Sequence, residues 1–304
     1  MTAPKFLNQP EPAARKAARP RNIPLPEGRI YVQPRDLDLL VDLHTYGCML
    51  RSQIQTLYFG SISRTNARLR QLFDAGYIKK APLPLPSCLS TLTGCQSAYI
   101  LGPAGIPIVA ARTGLDPNDI RRQQRHGTTG YLLHTTEIVN FRLALEMAVR
   151  SQSAVTLEQF FPERLCRHGY EYRERPVAET GAEVTWRKEV YKPDAVILLS
   201  RQSVVQGWAI EIDLGHTSSA EFTMKLQIHT RYAATGLFAR RYGAEKVGTL
   251  IVTTSAHRRA NLIALAKKVN GGHFWFTTYS EIKQDGALGP IWHTPGTNSP
   301  HSLF

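Results

Sequence analysis

Glu211 and Asp213, two residues apart in WAIEIDL, are the side chains whose type and spacing best suit chemistry. Side chains alternate across a strand, so both project from one face, roughly 7 Å apart along it. Carboxylates held that close repel unless a cation or a proton intervenes. Asp194 adds a third acid at the start of the apolar run AVILL, the mouth of a buried strand. A set of acids with a lysine can hold a divalent metal against a phosphodiester. Each acid also has a plain structural reading: a wet strand face for the pair, and a turn residue after Pro193 for Asp194.

Lys225 is the more telling residue. On a helical wheel at about 100° per residue, EFTMKLQIHTRYAA places Phe222, Leu226, Ile228, Tyr232 and Ala233 on one apolar arc. Lys225 and His229 fall inside that arc. A lysine facing a core costs desolvation unless it is paired or snorkels, and an acid on the neighbouring strand is the natural partner. Glu137 repeats the anomaly between Leu133, Phe141, Ala144 and Ala148, with His134 one turn earlier.

Positioning these residues requires a sheet. Strand patterns near TLEQF or YEYRERP, then in PDAVILL, WAIEIDL, GTLIVTT and HFWFTT, alternate with helical ones, which predicts a mixed α/β domain over residues 126–285. The stretch 286–304 is rich in Gly, Pro and Ser and reads as a loose tail.

The N-terminal part reads differently. Residues 1–30 form a basic, Pro- and Ala-rich arm without core-building residues. From 31 to 125 the pattern is RDLDLLVDLHTYG as one helix, RSQIQTLYF as a second with Ser52 as its cap, and SRTNARLRQLFDAG as a third closed by Gly76. Short strands follow at YIKK and SAYIL, and then a basic connector. Three helices and a ribbon in that order predict a winged helix-turn-helix. In the third helix Leu69, Leu72 and Phe73 form the inner stripe, while Arg64, Arg68 and Gln71 share another face. Thr65 lies in the first turn, where its hydroxyl can reach a phosphate, and Lys79 and Lys80 make the ribbon basic. Arg64, Thr65, Arg68, Gln71, Lys79 and Lys80 are therefore the candidate DNA contacts.

Composition supports a polyanionic partner. Lys and Arg number 37 against 24 Asp and Glu, a formal charge of +13. No apolar run approaches the roughly 20 residues of a spanning helix, and the N-terminus lacks a secretory pattern, so no membrane role and a cytoplasmic location are expected. Cys48, Cys88, Cys95 and Cys166 fit no zinc spacing and read as reduced thiols. No phosphate-binding GxxxxGK[ST] loop is present, which leaves an NTP-driven motor unsupported.

Glu137 on a helix, Pro193-Asp194 on a strand, Glu211-Ile212-Asp213 on the next and Lys225 on the following helix together resemble the PD-(D/E)XK nuclease-like fold. That fold's third motif is Glu-x-Lys, whereas this chain has an acid, Asp213, at the lysine position. The whole arrangement, with the helix-turn-helix ahead of it and EIDLGHTS on the strand, is similar to the replication-relaxation family of plasmids and mobile elements. The resemblance covers roughly residues 35–280. It implies a double-stranded-DNA-binding protein acting in replication, relaxation or transfer. If the domain is active, it also implies Mg²⁺ or Mn²⁺ held by Asp194 and Glu211 with the Ile212 carbonyl. Lys225 would then face the phosphate, Glu137 would assist, and Asp213 would be an extra ligand. The alternative is a non-catalytic regulator whose nuclease-like domain serves homodimerisation or binds a relaxase or another mobile-element protein.

Overall fold

A computed structural model describes residues 30–83, 96–124, 129–152, 154–174, 185–269 and 273–304. The basic arm (but for its last residue), Cys88, Cys95 and most of the proline-rich stretch lie outside the described residues. The fold is mixed α/β, as expected.

In the N-terminal unit, helix α1 (Pro34–Tyr46) begins at a proline whose missing N–H costs nothing in the first turn. Its stripe of Leu39, Leu40 and Leu43 is buried. A two-residue strand, β1 (Met49–Leu50), leads into α2 (Arg51–Tyr58). That helix is capped from within: the Gln53 side chain accepts the Leu50 N–H at 2.8 Å, so Ser52 is not the cap the sequence suggested. Ser61 caps α3 (Ile62–Asp74) by accepting the Arg64 N–H. Strands β2 (Ile78–Leu83) and β3 (Gln96–Leu101) pair antiparallel, and β1 joins them as a third strand. Gly102, just past β3, is a close-approach position: a Cβ there would fall 2.3 Å from the Gly76 carbonyl oxygen. Helices α4 (Ile106–Thr113) and α5 (Pro117–Gln123) follow, so part of the expected connector is helical, with Asp116 as the cap of α5.

Helix α6 (Thr129–Ser151) serves both units. Val139 packs in the core of Leu40, Leu43 and Leu72, whereas Ile138, Phe141 and Leu145 pack in that of the large sheet. Buried Arg142 strengthens the junction, pairing with Asp42 at 3.3 Å and Glu146 at 2.8 Å and donating to the Tyr46 hydroxyl.

The remaining elements are β4 (Thr156–Pro162), the short helix α7 (Glu163–Cys166), β5 (His168–Glu174), β6 (Thr185–Tyr191), β7 (Ala195–Arg201) and β8 (Val204–Ile212). After them come α8 (Ser219–Ala234), α9 (Leu237–Tyr242), β9 (Lys246–Thr253), α10 (Ala256–Lys268), β10 (Phe274–Thr278) and α11 (Tyr279–Asp285). Five strands form one sheet in the order β10-β9-β8-β7-β4; β8, β9 and β10 run parallel, and β7 is antiparallel to both neighbours. Helix α6 and the C-terminal segment cover one face, and α8, α9 and α10 cover the other. Strands β5 and β6 form a separate ribbon. The segment after Gly286 lacks long elements but is not loose. Trp292 is fully buried in the sheet's core with Leu288, Ile291 and Leu303, and short bridges tie Phe276 to His293 and Trp292 to His301.

Candidate functional site

Asp194 and Glu211 sit on neighbouring strands because β7 and β8 pair as a hairpin. Ala195 pairs with Ile210, which sets Asp194 beside the end of β8. The Asp194 carboxylate accepts the Ile212 N–H at 2.7 Å, and its own N–H donates to the Ile210 carbonyl. After β8, Gly215 takes a positive φ of 84°, and Ser218 starts α8 with a capping box closed by Glu221. Helix α8 then buries Phe222, Leu226 and Tyr232, and that rotation brings Lys225 and His229 onto the strand.

Glu211 receives both. Lys225 Nζ donates to its Oε2 at 2.6 Å, and His229 Nε2 lies 3.0 Å from its Oε1. His229 Nδ1 faces the Tyr191 hydroxyl at 3.0 Å, which extends the network to β6. Burial pushes the Glu211 carboxyl up, but Lys225 and His229 outweigh it and hold the pKa at about 2. The attraction of Glu211, opposed by burial, raises that of Lys225.

Asp194 has a different partner. His134 Nε2, on α6, is 3.2 Å from its Oδ2 and 3.0 Å from the Ile212 carbonyl oxygen. Burial works against the imidazolium, yet the Asp194 charge and these hydrogen bonds raise the His134 pKa to about 9. Asp213 has a third. Arg258 grips it with Nε at 2.9 Å and a second guanidinium nitrogen at 3.0 Å, and Thr253 donates at 2.6 Å. Arg258 also donates to the Thr217 carbonyl at 2.7 Å.

The three acids are thus matched by Lys225, Arg258 and the His134 imidazolium. Among the described residues no three His, Cys, Asp or Glu side chains converge as a metal site. The donors expected for Mg²⁺ already face cations: His134 bridges Asp194 Oδ2 and the Ile212 carbonyl, and Glu211 has both oxygens engaged. A divalent ion there would compete with Lys225 and the His134 imidazolium for the same carboxylates, so the residues as arranged favour their own cations. Glu137 is fully buried and accepts from Asn140 at 3.2 Å; Asn140 in turn accepts from Gln53 of α2 at 2.7 Å. Lys225 keeps 42% of its side chain exposed and lines an open groove of about 390 Å³ with His216, Thr217, Glu221, Met224 and Ile228.

The candidate DNA contacts separate into two groups. Arg64, Gln71, Lys79 and Lys80 are exposed, and Lys80 lies over the Phe73 and Tyr99 rings. Phe73, expected on the inner stripe, is 40% exposed. Thr65 is fully buried and donates to the Ser61 carbonyl at 2.8 Å, which removes its hydroxyl from reach of a phosphate. Arg68 is turned inward, pairing with buried Asp36 at 2.6 Å and donating to Gln71 and the Tyr31 carbonyl.

Sequence reasoning did not identify Arg258 or the partner of His134. Arg258 sits in the first turn of α10, where a cation is unfavourable to the helix dipole, and that is the one sequence signal that marks it. Cys48 and Cys166 are buried free thiols whose pKa burial raises to about 12, which disfavours thiolate chemistry at either.

The chain thus consists of two units joined by a shared helix, with an acid–base cluster beside a strand hairpin. The replication-relaxation family model matches residues 40–247, more than half of the chain, and the chain belongs to that family. The match begins within α1 and ends at the start of β9, so it takes in His134, Asp194, Glu211, Asp213, Lys225 and His229 but not Thr253 or Arg258. Membership suggests a role in replication or transfer of a plasmid or mobile element. No curated protein and no solved structure matches the chain. No helix among the described residues is long and apolar enough to cross a membrane.

Proposed function

We propose that the protein binds double-stranded DNA through its N-terminal unit and acts, without cleaving it, in replication, relaxation or transfer of a mobile element. The observation that carries this reading is a set of exposed, unneutralised cations. Arg64, Lys79 and Lys80 face solvent, and none pairs with a carboxylate of a described residue. Helices α1 to α3 followed by the β2–β3 pair support a winged helix-turn-helix in which α3 enters the major groove and β2 follows the backbone. Arg64 and Gln71 are the groups left to read or brace the groove, and Lys79 and Lys80 those left for phosphates. Arg68 holds α3 to α1 in this reading.

The charge-matched cluster supports a domain that works as a scaffold, for self-association or for a relaxase or other element protein. The experiment is fluorescence anisotropy with a labelled duplex in EDTA, beside nicking of supercoiled DNA with Mg²⁺ or Mn²⁺. Duplex binding in EDTA with no nicking is expected. Metal-dependent nicking abolished by Asp194→Ala would return the hydrolytic reading.

A further inference from the structure

The β5–β6 ribbon stands outside the large sheet and has two unlike faces. Its inner face packs against α8. Tyr191 stacks on Tyr232 at 3.7 Å, His168 reaches the Tyr232 hydroxyl at 2.8 Å, and Glu189 is clasped by Arg231 at 2.6 Å. The outer face carries Gly169, Glu171 and Arg173 opposite Val190, Lys188 and Trp186, and all six are exposed.

Trp186 is 64% exposed, the most exposed of the large apolar side chains among the described residues. Nothing in the packing requires an indole there; a polar residue would serve the ribbon equally well. Directly across the strand pair is Arg173, exposed and with no carboxylate partner among the described residues. Lys188 and Glu171, the next pair, neutralise each other at 3.5 Å. Arg167, also exposed, precedes the ribbon on the same side of the strand by alternation. The face therefore offers a flat aromatic platform beside guanidinium charge, and Gly169 leaves open space, since a Cβ there would meet nothing within 4 Å.

We infer that this outer face is a second nucleic-acid contact that takes unpaired DNA, stacking a base on Trp186 with the adjoining phosphate on Arg173. An indole can stack on a base that is free of the duplex stack, and a cation beside it tracks the backbone. Duplex would meet the N-terminal unit, and the ribbon would hold strand exposed by opening or nicking. The inference adds to the duplex reading without depending on it, because the residues concerned are on a different unit.

Tryptophan emission tests it directly, since Trp208 and Trp292 are buried and Trp275 is half-buried. An oligo(dT) of about 20 nucleotides, titrated at low salt in EDTA, is expected to quench the emission saturably. Affinities of the variants are read by anisotropy of a labelled oligo(dT), because the Trp186 variants lack the emitting indole; Trp186→Phe should keep most of the affinity. Trp186→Ala and Arg173→Ala should each weaken it about tenfold, with unchanged melting temperature and unchanged duplex affinity. Undiminished oligo(dT) binding by both alanine variants overturns the inference, as does an absence of oligo(dT) binding while duplex binding persists. Equal loss of duplex binding in the variants would assign the face to the duplex footprint and also overturn it. Loss of duplex binding by the wild-type protein, with oligo(dT) binding intact, would instead count against the duplex reading alone.

Discussion

Lys225 Nζ and Glu211 Oε2 are 2.6 Å apart, a contact that joins helix α8 to the end of strand β8. Glu211 is buried while Lys225 is partly open to a groove. Lys225→Met should therefore destabilise the protein by about 1–2 kcal/mol, below the about 3–5 kcal/mol of a fully buried pair, because water screens the lysine and His229 still serves Glu211. The Glu211→Gln/Lys225→Met double variant should lose less than the sum of the singles. Urea denaturation of the four proteins in a double-mutant cycle measures this, and strict additivity contradicts the pairing.

The Asp194–His134 contact sets a pH dependence. The folded His134 pKa of about 9 is above the ordinary 6.5. Its contribution is thus fully present below about pH 6.5 and is lost as pH rises through 9, and a shift of that size is worth about 3 kcal/mol. Comparison of wild type with His134→Gln by thermal melting should show a gap that is wide at pH 6 and narrows by pH 10. Glu211 acts at the other end. Its folded pKa of about 2, below the ordinary 4.5, makes its contribution present above 4.5 and lost as pH falls through 2.

Arg68→Ala should act on stability. It leaves the carboxylate of Asp36, fully buried, without its cation, and a loss of about 3 kcal/mol is expected. The Arg68→Ala/Asp36→Asn pair should recover part of it. Chemical denaturation reports the outcome, and an unchanged midpoint for Arg68→Ala would remove the clamp from the account.

The β7–β8 hairpin turns through Gln202 and Ser203, both at positive φ, 49° and 68°. Residues that tolerate this conformation are glycine and asparagine. Gln202→Asn with Ser203→Gly should stabilise by about 1 kcal/mol without disturbing Asp194, at the far end of β7. A melting temperature that stays or falls contradicts the turn geometry.

Much of this was legible in the sequence because burial imposes periodicity. The wheel of α8 set Lys225 and His229 inside an apolar arc, and both meet the carboxylate of the adjacent strand there. The alternation in WAIEIDL put Glu211 on the face opposite Ile210 and Ile212, and it lies against α8 as that implies. What was illegible lacked a period or depended on distant partners. Strand β6, TWRKEVY, has one face in solvent and reads as a polar segment. Arg68 lies on the polar side of its wheel, and Asp36, 32 residues earlier, draws it inward together with the Tyr31 carbonyl. Glycine and proline after Gly286 suggested looseness, yet Trp292 fills the core, because one large side chain can anchor an irregular segment.

The central claim is that exposed cations of the N-terminal unit bind duplex DNA without help from a metal. The most direct measurement is anisotropy of a labelled duplex in EDTA across a salt series, for wild type and for the Arg64→Ala/Lys79→Ala/Lys80→Ala variant. Binding in EDTA is predicted, with log K falling linearly against log salt and a slope shallower in the variant by up to about 3, roughly one per lost phosphate contact. No binding until Mg²⁺ is added, or an identical slope in the variant, would contradict it.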